Sequence, residues 1–280
     1  MNVIVIPIYK PIPDKYEENS FNQCLKILFR HTVCLITFEN LDISYYTQLL
    51  DTSDIKYRIE YFDKIYFESL ASYNRLMMLK DFYLRFKNYG YMLIYQLDAY
   101  FFRDELDYWC EQGYDYIGAP LFGDEYLGML NDENPDSIGI GNGGFSLRKI
   151  KSQLKVLNTF SYLIPAKTLF KSYMGKCLKQ PVLQIIPNTF DLLKNLTIEN
   201  NTHHFFNSFS ENEDGFWGEL CKSKFKWYSL PSFESAYRFS FEILPEYLYE
   251  LNDEQLPFGC HKWCTEPNLS FWKEHSINHL

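Results

Sequence analysis

Four short segments carry the residue types from which chemistry could be built. The first is Ile94-Tyr95-Gln96-Leu97-Asp98-Ala99-Tyr100. An apolar strand there delivers a carboxylate to its C-terminal edge, where open α/β sheets place ligands. Oxygen ligands suit Mg²⁺ or Mn²⁺, the cations that neutralise a diphosphate leaving group. Asp98 reads equally as the N-cap of a following helix. The second is Gly139-Ile140-Gly141-Asn142-Gly143-Gly144-Phe145-Ser146-Leu147-Arg148. It fits a dinucleotide fingerprint in spelling only, because it is not the first βα turn and no acid follows about 20 residues on. Its glycines suit close approach of a bulky ligand, with Asn142 or backbone amides bonding sugar hydroxyls. Tight turns are the alternative.

The third segment is Glu211-Asn212-Glu213-Asp214-Gly215-Phe216-Trp217, acids ahead of an apolar, helical run. Such acids cap helices. They also suit a general base, kept ionised by the helix dipole, with Trp217 able to stack on a sugar ring. The fourth is Phe258-Gly259-Cys260-His261-Lys262-Trp263-Cys264. It lacks the four ligands and the CxxC pair of structural zinc. His261 fits better as one ligand of a shared Mg²⁺ or Mn²⁺, or as a core histidine. His203-His204 is a weaker candidate.

The elements that must position these residues alternate. Val3–Ile8 is a buried strand, and Asp14 with Glu17 forms a capping box ahead of Phe21, Cys24, Leu25 and Leu28 at helical spacing. Strands follow at Thr32–Phe38 and Lys56–Phe62, then one long helix at about Leu70–Lys87 with an apolar stripe. Tyr91–Leu97 is a fully apolar strand, Tyr116–Ala119 a further one, Gly113–Asp136 a loop, and Ile138–Leu147 a strand. This βαβαβ rhythm predicts an α/β fold with a mostly parallel sheet flanked by helices.

Composition bounds the function. The 280 residues carry a net charge of −9, which argues against nucleic acid as a partner. Aromatic residues make up 19 % of the chain, through core filling or sugar stacking. The seven cysteines are an odd, scattered number and read as free thiols. The opening Met1-Asn2-Val3-Ile4-Val5-Ile6-Pro7 lacks a signal-peptide n-region, and no run approaches a membrane span. A cytoplasmic protein is the expectation, and the glycosylation sequons at Asn195 and Asn268 then carry no meaning. From Ser137 to Phe190 there is no acid but eight basic residues: Arg148, Lys149, Lys151, Lys155, Lys167, Lys171, Lys176 and Lys179. The segment 150–205 reads as a helical insertion within one domain of residues 1–280. Its basic, aromatic stretch 148–179 suits an anionic acceptor or the inner membrane face.

Together, Val5-Ile6-Pro7-Ile8-Tyr9, Gln96-Leu97-Asp98, Gly141 to Arg148, Glu213-Asp214 and His261 resemble the GT-A class of nucleotide-sugar glycosyltransferases, and more closely a bacterial family of that class. The span Phe160–Thr202 has no counterpart. The resemblance implies a GT-A-like fold and a hexosyltransferase using a nucleotide-sugar donor, UDP-sugar above all, and a glycan or glycolipid acceptor. It implies Mn²⁺ or Mg²⁺ held by Asp98 and His261, and an inverting reaction with Asp214 as base beside Glu213. Pro7, Tyr9, Arg75, Gln96, Asp98, Asn142, Gly143, Gly144 and Trp217 are the implied donor contacts. Gln96 departs from the class, which has an acid there. A non-catalytic carbohydrate or nucleotide binder and a two-carboxylate glycoside hydrolase are the rival readings.

Overall fold

The computed structural model describes residues 1–122 and 138–275. Positions 123–136 of the loop expected at Gly113–Asp136 lie outside the described residues. The chain divides into two compact units, one of residues 1–154 with 211–280 and one of residues 155–210.

In the first unit, β1 (Val3–Pro7), β2 (Thr32–Phe38), β3 (Tyr57–Phe62) and β4 (Tyr91–Tyr95) are parallel, in the order β3-β2-β1-β4. The sheet extends through β9 (Phe145–Lys149), antiparallel to β4, and β6 (Tyr116–Ile117), antiparallel to β9. All five residues of β1 and of β4 are buried, as expected of strands covered on both faces. Alternate residues Ile4, Ile6, Val33, Leu35, Leu93 and Tyr95 share one core with Phe21, Cys24, Leu25, Tyr46 and Leu50. The helix Lys15–Ile27 starts at the expected capping box: Asp14 accepts from the backbone N–H of Tyr16 and Glu17, and Glu17 accepts from that of Asp14.

A smaller sheet sits beside the main one, with β10 (Ser240–Phe241), β11 (Gly259–His261) and β5 (Ala99–Phe101) in that order. Phe241, Cys260, Trp263, Phe271 and Trp272 pack behind it. β7 (Pro120–Phe122) and β8 (Ile138–Ile140) form a separate antiparallel pair.

Two expectations are corrected. The helix predicted over Leu70–Lys87 is two helices, Leu70–Leu76 and Lys80–Arg85. The Met77 carbonyl in the break accepts from Tyr83 Oη at 2.8 Å and from Trp217 Nε1 at 3.1 Å, so side chains satisfy a carbonyl the helix would otherwise use. The strand predicted over Ile138–Leu147 is split into β8 and β9. Asn142 lies between them with φ of 80°, a left-handed conformation that ends strand pairing.

The second unit contains helices Ala166–Lys179, Ile185–Lys194 and Thr202–Ser208, with a π-helical turn at Asn195–Glu199.

Candidate active site

Backbone pairing brings Asp98 and His261 together. The main-chain N–H of Gln96 donates to the Gly144 carbonyl (2.8 Å), and that of Ala99 donates to the Gln96 carbonyl (2.9 Å). This tight turn places Asp98 at the C-terminal end of β4. In the small sheet Ala99 is the direct register partner of His261, so Asp98 lies beside the imidazole. His261 Nε2 lies 3.1 Å from Asp98 Oδ1, and Nδ1 lies 3.1 Å from Glu242 Oε1. Glu242 follows β10, whose Phe241 pairs with Cys260, and it also accepts a 2.9 Å ion pair from Lys262.

The charges of this cluster are interdependent. Burial works against a protonated His261, but Asp98 and Glu242 prevail and raise it to about 10. Burial would raise both carboxyls; His261 more than offsets this for each, helped by Lys262, and both lie below their ordinary values. Glu242 was not anticipated. Its only signal is an acid flanked by Phe241 and Ile243 in an otherwise apolar run.

Asp214 lies in the turn Glu213–Gly215. Its Oδ2 accepts from the backbone N–H of Asn142 (3.0 Å) and its Oδ1 from that of Gly215 (2.8 Å). Burial, with Glu242 nearby, raises its carboxyl above the ordinary value against these two donors. Glu213 is turned inward, with its Oε1 2.7 Å from the guanidinium of Arg148. Arg148 also donates to Tyr83 Oη, Ser146 Oγ and the Gly143 carbonyl. Burial pushes Glu213 up to about 7 even with Arg148 beside it. Arg148, expected in an exposed basic stretch, is 0 % exposed.

Two cavities meet here. One of about 500 Å³ is lined by Pro7, Tyr9, Glu17, Phe67, Ser69 and Tyr73 among others. The other, of about 250 Å³, is lined by Gly143, Gly144, Glu213, Asp214, Glu242 and His261 among others. Leu70, Tyr73, Gln96 and Asp98 line both. Pro7, Tyr9, Gln96, Asp98, Gly143, Gly144, Glu213, Asp214 and His261 are thus brought to one cleft.

Three expected contacts, Trp217, Asn142 and Arg75, are placed differently, while Gly143 and Gly144 line the cleft in another role. Trp217 is 0 % exposed, donates to the Met77 carbonyl and meets Tyr83 edge-on, so it has no face to offer a sugar. Asn142 is buried, and its Oδ1 accepts from the backbone N–H of Gly144 and Phe145, closing the turn in place of sugar hydroxyls. Arg75, in the helix Leu70–Leu76, is not among the residues lining either cavity. The glycines admit side chains of the chain itself. A Cβ on Gly143 would lie 2.3 Å from Glu213 Oε1, and one on Gly144 2.0 Å from His261 Nε2.

The donor set suits a hard divalent cation that keeps water and substrate oxygens. Among the described residues, no group of three or more His, Cys, Asp and Glu side chains could hold a metal alone. Asp98 Oδ1 and His261 Nε2 lie 3.1 Å apart as a charged hydrogen bond, so a cation held by both would first displace the imidazole proton. Glu242 stands 3.1 Å behind Nδ1 and fixes the orientation of the ring, as an outer carboxylate would for a ligand histidine.

Among known proteins, the family model described as "Protein of unknown function (DUF5672)" matches residues 56–261. No curated protein matches the chain. Among solved structures, the apo form of mouse xyloside xylosyltransferase 1 is similar at 10 % identity and a TM-score of 0.48, over 95 % of this chain and 99 % of that one. A glycosyltransferase involved in glycosylation of the major capsid of PBCV-1 is similar at 9 % identity and a TM-score of 0.40, over 99 % and 98 %. The Mn/GDP form of core-mannan synthase A from Aspergillus fumigatus is similar at 12 % identity and a TM-score of 0.39, over 54 % of this chain. The match spans 59 % of that synthase's length.

Proposed function

This chain belongs to the DUF5672 family, and we propose that it is a metal-assisted glycosyltransferase with a GT-A-like fold. It would move a sugar, of hexosyl type, from a nucleoside-diphosphate donor to a hydroxyl of a glycan or glycolipid. One observation carries the reading. At the C-terminal end of β4, Asp98 and His261 stand 3.1 Å apart, His261 is held from behind by Glu242, and Asp214 lines the same cavity.

The larger cavity has the volume of a small-molecule site and would take the nucleoside. Asp98, and His261 once a cation displaces its proton, would hold Mg²⁺ or Mn²⁺ at the junction with the smaller one. A bound cation neutralises charge on the departing diphosphate. That charge needs a counterion here, because with Glu213 paired to Arg148 the carboxyls of Asp98, Asp214 and Glu242 still outnumber His261 and Lys262 along the smaller cavity. Gln96 lines both cavities without adding charge. Asp214 would accept the acceptor's proton as its oxygen attacks, inverting the anomeric centre. A carboxyl raised by burial is a stronger base than one in water. Glu213 is assigned a positioning role through Arg148, because its carboxylate is buried in that pair.

The test is a thermal-shift screen of nucleoside diphosphates and nucleotide sugars, UDP-sugars first, with and without Mn²⁺. A ligand at 100 times its Kd stabilises by about 2.7 kcal/mol. Asp98→Ala should remove the Mn²⁺-dependent shift. A shift that persists unchanged with chelator rejects the metal, and no shift with any nucleotide rejects the donor. A two-carboxylate hydrolase would bind no nucleotide, so the same screen separates the two.

A further inference from the structure

The unit of residues 155–210 contains a helical hairpin whose side chains are largely exposed. None of the residues of its first helix, Ala166–Lys179, is buried. In its second, Ile185–Lys194, the buried residue is Asn188. Polar contacts staple the two: Asn188 Nδ2 donates to Gln180 Oε1 at 2.9 Å, and the Tyr173 and Thr189 hydroxyls meet at 2.8 Å. The apolar side chains at the hairpin's turn point to solvent instead. Leu178, Val182, Leu183, Ile186 and Phe190 are 71–87 % exposed. Scattered exposed apolar residues are ordinary, but five within the thirteen residues Leu178–Phe190, at and flanking one turn, are a concentration.

Charge selects the occupant. From Gln180 to Phe190 eleven consecutive residues carry no charge, so burying the turn in hydrocarbon desolvates no ion. Lys167, Lys171, Lys176 and Lys179 lie on the helix leading into it, within an acid-free span whose first following acid is Asp191. An apolar end with lysines behind it is the pattern of segments that lie in the interface of an anionic bilayer. We infer that the hairpin docks on anionic lipid, with Leu178, Val182, Leu183, Ile186 and Phe190 entering the headgroup–acyl boundary and the lysines meeting phosphates. Relative to the basic stretch 148–179, the surface is shifted. Arg148 is buried in its pair with Glu213, and the apolar end lies beyond Lys179.

The experiment is co-sedimentation of the full chain with phosphatidylcholine vesicles, with and without phosphatidylglycerol, at low and high salt. Its readout is vesicle binding, so it stands or falls apart from the transferase reading. Binding is expected to anionic vesicles at low salt and to weaken as salt rises. Each lysine contributes about fivefold near an anionic surface, so K171Q/K176Q/K179Q should bind roughly a hundredfold more weakly. L183S/I186S should bind about tenfold more weakly or worse, with an unchanged melting temperature because both residues are exposed. No binding to anionic vesicles at low salt overturns the inference, as does binding that neither variant weakens. So does a wild-type dimer in sedimentation velocity that L183S/I186S converts to monomer without any vesicle binding, since a second copy would then cover the turn.

Discussion

The Arg148–Glu213 pair allows a test of the site's foundation that needs no substrate. Arg148 is 0 % exposed, and its guanidinium lies 2.7 Å from Glu213 Oε1. It also donates to Ser146 Oγ at 3.0 Å, Tyr83 Oη at 3.2 Å and the Gly143 carbonyl at 3.3 Å. Arg148→Met keeps most of the volume but leaves a buried carboxylate with no cation and Gly143 without that donor. Removing one partner of a buried pair costs about 3–5 kcal/mol. For a chain of this size that lowers the melting temperature by roughly 10 °C. Glu213→Met strands the guanidinium instead and should cost a similar amount. The double variant R148M/E213M removes both charges and fills the space with apolar atoms, a change that is often neutral. Its loss should therefore fall short of the sum of the single losses by about 2 kcal/mol or more. Urea unfolding of the four proteins measures the cycle. Additive losses, or single variants within about 1 kcal/mol of wild type, would refute the claim that this pair ties the glycine-rich turn to the Asp214 turn.

Asp214→Asn retains an acceptor for the Asn142 N–H but loses the proton acceptor. Turnover should fall by about 10²-fold or more with donor affinity kept, and near-normal turnover would leave Asp214 a turn-closing residue only. Gly144→Ala would push a methyl toward His261 Nε2, so the Mn²⁺-dependent nucleotide shift should vanish while the apo protein stays folded; an intact shift would place the metal elsewhere. His261 also predicts a pH dependence in chelator. Its folded value, about 10, lies above the ordinary 6.5, so its stabilisation is fully present below 6.5 and is lost as pH rises through 10. Urea midpoints at pH 6, 8 and 10 should fall for the wild type relative to His261→Asn; parallel curves would remove the Asp98–His261–Glu242 cluster from the account.

Much of the frame was legible because its signals are local. The apolar run at Val3–Ile8, the Asp14–Glu17 capping box and the strand leading to Asp98 each depend on residues a few positions apart. Glu242 was not legible, because its role arises from two-residue pairing between β10 and β11 and from nothing in its own spacing. The burial of Arg148 is not legible in the charge of its stretch: in β9 it faces away from Phe145 and Leu147, and there it meets Glu213. Adjacency misleads at Trp217: it follows the acids in sequence, but the chain turns it toward Met77 and Tyr83.

At the glycine-rich segment a close approach does not identify the body that approaches. A glycine marks a place where something comes too close for a Cβ. A donor sugar and a neighbouring side chain leave the same mark in the sequence. At Gly143 and Gly144 the close neighbours are Glu213 and His261, so these glycines shape the site by admitting two of its own side chains. The segment lines the smaller cavity, and the bodies it makes room for belong to the protein. Substituting either glycine should therefore act first on the geometry of Glu213 or His261, and on ligand affinity only through them.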